Sequence, residues 1–252
     1  MRIVVLVKQV PADGTVRMEE GRLMRDAVPG VLNPMCEYAL DLAVRLGGEV
    51  VALSMGPPQA VASLERCLEL GAGRAILLSG REFAGADALA TSTALASAIQ
   101  WIGDVDLILT GQQAIDGDTG QVPFEVATML DVPSVSHCSG ASVSGDMVTL
   151  VTESDGVRSV VEARAPLLMA VSWGSNVRRM PSMSDLLRAR AIGVEVVDAD
   201  GIGIDRTVCG SEGSMTRVVR TFSPTSGPPS ERIVDMERAI GAISAEIWGE
   251  GG

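Results

Sequence analysis

The sequence predicts an α/β protein built on an open parallel sheet with helices on both faces. Short runs of aliphatic and β-branched residues alternate with longer segments of helical spacing, as expected of strands that are buried on both sides. Of the 252 residues, 46% are hydrophobic and only 3% are aromatic, so aliphatic side chains must fill a sizeable core. The 28 glycines suit the many tight strand–helix connections of this fold.

Strands and helices alternate regularly through the first half of the chain. The first predicted helix, for example, has Asn33 as its N-cap and Pro34 as its first residue, and Gly47 ends it. Strands are predicted over residues 3–7, 50–53, 75–78 and 106–110, and helices over residues 34–46, 57–71 and 87–101. Right-handed crossovers between these elements give a Rossmann-like parallel sheet. Residues 15–32 are expected to form a hairpin or another excursion before the first helix.

The second half of the chain departs from this alternation. The predicted elements are a helix after residue 119, an added β-hairpin over residues 135–165, a buried strand over 167–172, a short helix over 184–191 and an amphipathic helix over 233–248. The hairpin turn is placed at Asp155-Gly156. Residues 198–230 are rich in Gly, Ser, Pro and Asp, which is typical of an extended segment. We therefore expect an α/β domain over residues 1–194 and an extended C-terminal arm over residues 195–252.

The composition excludes several classes of function. The formal charge of −12 argues against a nucleic-acid surface, which needs clustered basic residues, and the only lysine is Lys8. The four cysteines form no CxxC pair and the one histidine is His137, so no metal site and no disulfide framework is expected. No catalytic side chain is predicted, because no nucleophile stands with a base. No apolar run reaches the ~18 residues of a membrane span, and we expect a cytoplasmic protein without membrane insertion.

Several polar or glycine-rich segments follow predicted strands. Open parallel sheets bind ligands beyond the carboxyl ends of their strands. Lys8 follows the first strand, Met55 the second and Gly111 the fourth. Residues 33–36 lie at the same edge if the excursion returns there. Cys36, in the first turn of a helix, could have a lowered thiol pKa, although a packing role is favoured.

The loop over residues 111–122 has the composition of an anion site. Its glycines let the backbone approach a phosphate, and Thr119 is expected to cap the next helix, whose first amides would face the anion. Asp116 and Asp118 would accept from ribose hydroxyls or neighbouring amides, and Lys8 could neutralise phosphate. Judged from these residues alone, a capped loop without any ligand is equally compatible, because GxGxxG and Walker A motifs are both absent.

Together these segments resemble the beta subunits of electron transfer flavoproteins, from Met1 to about Arg190. The resemblance is carried by VLVKQV (5–10), NPMCEYA (33–39), SMGP (54–57), LGAGR (70–74), GQQAIDGD (111–118) and PLL (166–168). In this family the beta subunit pairs with an alpha subunit that holds the redox-active FAD, and itself carries AMP or, in electron-bifurcating members, a second FAD. We add Lys8, which could neutralise phosphate, to the nucleotide-binding positions that the resemblance implies. The predicted nucleotide site then comprises Leu6, Lys8, Asn33, Pro34, Met35, Cys36, Met55, Gly111, Gln113, Ala114, Asp116, Gly117, Asp118, Thr119, Gly120, Gln121 and Val122.

The loop sequence bears on which nucleotide the beta site would hold. AMP-binding members usually read D-D-D-x-N-Q-T here, whereas residues 116–122 read D-G-D-T-G-Q-V. This is similar to the D-G-D-T-x-Q-V of flavin-carrying, bifurcating members, although Pro123 stands where those members often have Gly. Small residues at Gly117, Thr119 and Gly120 would leave room for a pyrophosphate. We therefore favour FAD, with AMP as the alternative.

A second part of the resemblance concerns partners. In the family a Leu-bearing segment before a short basic helix anchors on the dehydrogenase, and residues 178–190 are similar, with Met183 at the anchor position. Judged without the family, this segment is an ordinary end of an amphipathic helix. The resemblance implies an electron carrier rather than a classical enzyme, working between an acyl-CoA-type or other dehydrogenase and a downstream acceptor, with bifurcation as one option. The arm over residues 195–252 would pack on the alpha subunit.

The sequence alone leaves two other functions open. A stand-alone adenine-nucleotide-binding sensor or stress-type protein would share the fold but has little use for a long irregular tail. An enzyme that adenylates or hydrolyses a nucleotide would need a Ser/Gly loop after the first strand, where residues 9–11 read Gln-Val-Pro.

Overall fold

The computed structural model of the chain describes residues 1–12, 18–19, 22–23, 30–219 and 235–248. The strands are β1 (Arg2–Leu6), β2 (Gln9–Pro11), β3 (Met18–Glu19), β4 (Arg22–Leu23), β5 (Gly30–Leu32), β6 (Glu49–Met55), β7 (Arg74–Leu78), β8 (Leu107–Gly111), β9 (Ser134–Ser144), β10 (Met147–Ser154), β11 (Val157–Arg164), β12 (Leu167–Val171) and β13 (Glu195–Val197). The helices are α1 (Pro34–Leu46), α2 (Val61–Glu69), α3 (Ala88–Ile102), α4 (Val122–Met129), α5 (Met183–Ile192), α6 (Ala199–Ile202), α7 (Gly210–Gly213) and α8 (Met236–Trp248).

In the described residues, nine strands form one sheet in the order β11-β10-β9-β12-β8-β1-β6-β7-β13. Its central strands β12, β8, β1, β6 and β7 are parallel, with helices in their connections, so the predicted α/β fold class is confirmed. Local signals place the helices well. Asn33 and Gly47 flank α1 as predicted, and the carboxylate of Asp87 accepts the amide of Ala90 to cap α3.

The chain order creates a topological switch between β1 and β8. From β1 the chain moves outward to β6 and β7, and α3 then carries it back to β8 on the other side of β1. Helices α1 and α2 pack on the face that carries Ile3 and Val5, whereas α3 and α4 pack on the face of Val4 and Leu6. The connecting helices leave by opposite faces here, and in doubly wound sheets ligands bind beyond the carboxyl ends of the strands at such a point. We call this place, at the ends of β1 and β8, the crevice.

Aliphatic side chains fill both layers, as the composition predicts. The largest fully buried side chains are all leucine or isoleucine, among them Leu40 on α1 and Leu53 on β6. Each such side chain contributes about 1.5–3 kcal/mol when it leaves water. The core therefore holds the strand ends rigidly, and the loops that follow them start from fixed positions.

The added hairpin is part of a larger antiparallel extension. Asp155-Gly156 turns the chain between β10 and β11, as predicted, but β9 pairs with β10 as a third strand across a turn at Gly145. β9 also pairs in parallel with β12, so the extension continues the main sheet.

The excursion after β1 returns to the same edge of the sheet. β2 pairs antiparallel with β5, and the amide of Asn33 donates to the carbonyl oxygen of Lys8 at 2.8 Å. The start of α1 therefore lies beside the end of β1, as the predicted site requires. Within the excursion β3 pairs with β4, and residues 13–17, 20–21 and 24–29 lie outside the described residues.

Residues 195–219 belong to the first of the two units into which the chain divides, Met1–Val219 and Arg220–Gly252. β13 pairs in parallel with β7, and Ala199 and Cys209 are buried in the core beside α3. The boundary therefore falls after Val219 rather than after residue 194.

Local side-chain bonds explain why the composition of this region was misleading. The carboxylates of Asp198 and Asp205 accept the amides of Gly201 and Thr207, both at 2.9 Å, and so form short helical turns where an extended segment was expected. Residues 220–230 of the predicted segment lie outside the described residues.

In its described residues, 235–248, the second unit consists of helix α8. The carboxylate of Asp235 accepts the amide of Arg238 at 2.9 Å and caps the helix. Met236, Ile240 and Ile243 share one face by their spacing, which agrees with the predicted amphipathic helix. No helix in the described part of the chain is both long and apolar enough to cross a membrane.

Candidate functional site

The loop after β8 folds back over the end of β1. Nζ of Lys8 donates to Oδ1 of Asp116 at 2.7 Å, and the same oxygen accepts the amide of Gly117 at 2.8 Å. The Lys8 side chain is 47% exposed, so this ion pair contributes at most about 1 kcal/mol to stability. Its main effect is positional, because it holds the only ammonium side chain of the sequence at the mouth of the crevice.

Asn33 joins the start of α1 to this loop. It is the N-cap residue, but its side chain makes no capping bond. Nδ2 instead donates to the carbonyl oxygen of Gln113 at 2.9 Å and to Sγ of Cys36 at 3.3 Å, while Oδ1 accepts the amide of Ile115 at 3.4 Å. Asn33 is only 1% exposed, so its polar groups would be costly to leave unpaired. The side chain therefore fixes the loop rather than the helix.

Gly111 allows β8 to pass close to the start of α1. A Cβ at this position would lie 2.8 Å from both the carbonyl carbon and the Cβ of Met35, and 3.0 Å from the amide nitrogen of Cys36. Two of these three atoms belong to the backbone, so rotation of a side chain cannot relieve the contact. The close approach thus explains the glycine at the end of β8.

Cys36 is a packing residue. Its side chain is buried, and desolvation raises the pKa of the thiol, with the hydrogen bond from Asn33 as the largest opposing influence. The lowered pKa that its place in the first helical turn suggested is therefore wrong, because burial outweighs the field of the helix.

The loop between Asp116 and α4 turns through left-handed backbone twice. Asp118 has φ +52° and Gly120 has φ +61°, and the amide of Asp118 donates to the carbonyl oxygen of Ala114 at 2.9 Å. Asp116 and Asp118 supply the carboxylates of this loop. Across the described ranges, no group of three or more His, Cys, Asp or Glu side chains could hold a metal ion.

Helix α4 begins at Val122, and its N-cap is Gln121, which makes no side-chain capping bond. The expectation that Thr119 caps this helix is wrong, because the left-handed turn at Gly120 separates Thr119 from the first helical residue. Among the residues that the structure describes, no partner is found for the amides of Thr119, Gly120, Gln121 and Val122. Successive free amides at the start of a helix are suited to an anion.

Leu6 and Met55 end adjacent strands at the same edge. Leu6 pairs with Thr110 on β8 and is 6% exposed. Met55 pairs with Leu78 and packs, partly buried, on the face that α3 covers. Both side chains are apolar, so they can offer a ligand only van der Waals contact.

Gln112 is a loop residue whose role sequence reasoning missed. Its amide donates to the carbonyl oxygen of Val171 at 2.9 Å, and its Oε1 accepts the amide of His137 at 3.0 Å. These bonds tie the loop to β12 and β9. No local signal could have revealed them, because His137 stands 25 residues further along the chain.

Met183 lies apart from the crevice, at the start of α5. Ser182 caps this helix in a capping box with Asp185, and hydrogen bonds from the amide and hydroxyl of Ser182 lower the pKa of Asp185 to about 2. Arg188 anchors the helix by donating to the carbonyl oxygen of Leu68 at the end of α2, at 3.0 Å. The Met183 side chain is left 72% exposed.

Further apolar side chains are exposed around Met183. Val177, Met180 and Leu187 are exposed as well, and we call residues 176–187 the exposed segment. Nδ2 of Asn176 holds its beginning on α1 by donating to the carbonyl oxygen of Tyr38 at 3.1 Å. The fold therefore presents an apolar patch on a well-anchored backbone.

The switch-point crevice and the parallel sheet place the chain in the class of doubly wound α/β domains. The electron transfer flavoprotein domain family matches residues 21–201. The chain is 38% identical to the protein FixA of Azorhizobium caulinodans, over 98% of this chain and 94% of that protein. It is 37% identical to the electron transfer flavoprotein subunit beta of Thermoanaerobacterium thermosaccharolyticum, over 90% and 89% of the two chains.

A third relative belongs to a named complex. The caffeyl-CoA reductase-Etf complex subunit CarD of Acetobacterium woodii is 36% identical over 92% of each chain. The protein described here therefore belongs to the electron transfer flavoprotein family, in the branch of its beta subunits. This membership supports a role in electron transfer together with an alpha-subunit partner.

Proposed function

We propose that this chain binds an adenine nucleotide in the crevice between β1 and β8. The observation that carries the proposal is a run of four amides at residues 119–122 that have no partner in the described part of the chain, in the loop that Lys8 holds through Asp116. Backbone amides and an ammonium group complement the charge of a phosphate without any sequence motif. One of the three N–H donors of Lys8 bonds Asp116, so two remain for a ligand.

The loop residues fit a dinucleotide as well as a mononucleotide. A Cβ at Gly117 would meet no atom of the described residues closer than Nζ of Lys8, at 3.9 Å, so none of those residues fills the space there. Thr119 and Gly120 are also small. We therefore favour FAD over AMP in this site, with Asp116 and Asp118 available to accept from ribose hydroxyls.

A bound flavin supplies the electron-transfer chemistry itself, so the protein contributes binding, orientation and electrostatics. In this proposal Lys8 offsets phosphate charge, Asn33 and Gln112 fix the loop, and Leu6 and Met55 make apolar contact at the edge. No side chain has to act as an acid, base or nucleophile.

The proposed partners are the alpha subunit and a dehydrogenase. The name of the relative CarD, from a caffeyl-CoA reductase complex, supports an acyl-CoA-type partner. The exposed segment, with Met183 as its anchor, would contact the dehydrogenase, and the chain beyond residue 219 would pack on the alpha subunit. The four cysteines are buried and free, which fits a reducing compartment such as the cytoplasm.

The choice between FAD and AMP is tested by identifying the released cofactors. The full chain is co-expressed with its alpha subunit, the heterodimer is denatured, and flavin and AMP are separated and quantified. We expect two FAD and no AMP per heterodimer. One FAD and one AMP would overturn the preference for FAD but keep the nucleotide site.

Replacing Met183 with alanine tests the role of the exposed segment. We expect kcat/KM for reduction by the dehydrogenase to fall about tenfold, because a buried apolar anchor at an interface is commonly worth that much. Nucleotide content should stay unchanged, since Met183 lies apart from the crevice. Val160→Ala on β11, where the side chain is 69% exposed, is the matched control. Equal transfer rates in both variants would remove this role.

A further inference from the structure

The N-cap residue of α3 also holds the end of the first unit. Oδ1 of Asp87 accepts the amide of Ala90 at 3.0 Å, and Oδ2 accepts both the amide and the hydroxyl of Thr216 at 2.9 Å. The amide of Asp87 in turn donates to Oγ of Ser214 at 2.8 Å. One residue thus joins α3 to a segment more than 120 residues later in the chain.

Further bonds fasten the same region. The amide of Ser211 donates to the carbonyl oxygen of Ala84 at 3.0 Å, and Oγ of Ser214 donates to the carbonyl oxygen of Gly210 at 2.7 Å. The backbone of residues 210–216 is therefore fixed against the loop that precedes α3.

Three of the exposed side chains beside this fastened segment are apolar, and Arg217, which stands among them, is charged. Met215 is 81% exposed, Val218 is 83% exposed and Val219, at the boundary of the first unit, is 96% exposed. They extend from a backbone that polar contacts hold in place. Apolar side chains so placed are typical of a surface that a permanent partner covers.

We propose that Asp87 is a positioning residue for subunit assembly: its hydrogen bonds from Thr216, which we call the clasp, hold the chain so that Val218 and Val219 present their apolar side chains to the alpha subunit. This inference rests on the proposed function, in which the chain beyond residue 219 packs on that subunit. A partner surface of apolar character is expected at this contact.

A carboxylate is needed for both contacts at once. Ser, Thr and Asn cap helices about as well as Asp does, so the α3 cap alone does not require aspartate. Only a carboxylate offers two acceptor oxygens, one for Ala90 and one for Thr216. The hydrogen bonds from Ala90 and Thr216 also lower the pKa of Asp87, in agreement with a role for the charged form.

An Asp87→Asn variant removes the hydrogen bonds from Thr216 and keeps the helix cap at Ala90. The amide side chain can still accept from Ala90 through its oxygen, but its NH₂ group cannot accept from the amide of Thr216. Asp87→Ser, which also caps a helix and lacks the second acceptor, is the second variant should the first fail to fold. Asp198→Asn is the matched control, because Asp198 caps α6 through Gly201 and does not contact the clasp.

The test has two readouts on the full chain. Hydrogen–deuterium exchange at the amide of Thr216, measured without the alpha subunit, should become about tenfold faster in Asp87→Asn. The Kd for the alpha subunit should rise about tenfold, because hydrogen bonds to a charged group are among the stronger ones. Asp198→Asn should leave both unchanged.

The outcomes separate this inference from the proposed function. Unchanged exchange in Asp87→Asn and Asp87→Ser would show that no clasp exists, and faster exchange with an unchanged Kd would show that the clasp does not serve assembly. Either result overturns the inference while wild-type cofactor content stands. A wild-type chain that fails to bind the alpha subunit would instead overturn the proposed function.

Discussion

A Gly111→Ala variant is expected to lose about 1–3 kcal/mol of unfolding free energy, the usual cost of forcing one methyl group into a packed site. The added Cβ would lie 2.8 Å from the carbonyl carbon of Met35 and 3.0 Å from the amide of Cys36, so the start of α1 must move away from β8. Asn33 would move with it and release the loop. We therefore expect the variant to lose its nucleotide as well as stability.

Gly140→Ala is the matched control for this experiment. Gly140 lies on β9, where a Cβ would meet nothing within 4 Å, so alanine there should be neutral or stabilise by about 0.5–1 kcal/mol. Urea unfolding of both variants measures the difference. A Gly111→Ala variant as stable as the wild type would show that the contact with α1 relaxes freely and does not set the geometry of the site.

An Asn33→Asp variant is expected to lose about 2–4 kcal/mol near neutral pH, because it removes a donor and buries a charge in one step. The new oxygen would face the carbonyl oxygen of Gln113, which now accepts from Nδ2 at 2.9 Å. With the loop no longer held to α1, the nucleotide should be released.

The pH dependence of this variant has a definite sign. Burial raises the pKa of the introduced carboxyl group, so the folded state binds its proton more tightly than the unfolded state does. The deficit relative to the wild type should therefore shrink as the pH falls from about 8 to about 5, because the neutral group can donate to Gln113 again. Asn33→Ala has no such group and should show a constant deficit. Parallel pH profiles for the two variants would contradict this account of Asn33.

The fold could be predicted where local chemistry decides it. Pro34 as the first residue of α1 and the Asp155-Gly156 turn each depend on neighbours within a few residues, and both are confirmed. The pairing of β13 with β7 could not be predicted, because Glu195 finds its partner Ile76 far back in the chain. Composition alone therefore placed the domain boundary too early.

In the candidate site, too, some features could be predicted from the sequence and others could not. Parallel topology brings Lys8 and the loop after Gly111 to one edge, and the order of strands and helices suffices to predict this. Residues 33–36 join them because the excursion returns through the pairing of β2 with β5, which the sequence left open. Which atoms meet there is set by tertiary packing. The side chain of Asn33 leaves its own helix to bond Gln113, and Gly120 separates Thr119 from the helix that it was expected to cap.

The most direct test of the nucleotide site counts adenine nucleotides released by acid from the heterodimer of the wild type and of Asn33→Asp. If the alpha subunit holds one FAD and the crevice of this chain holds another nucleotide, the wild type should release two per heterodimer and the variant one. Release of one from the wild type, or of two from a folded Asn33→Asp heterodimer at neutral pH, would contradict a nucleotide site at the loop after β8.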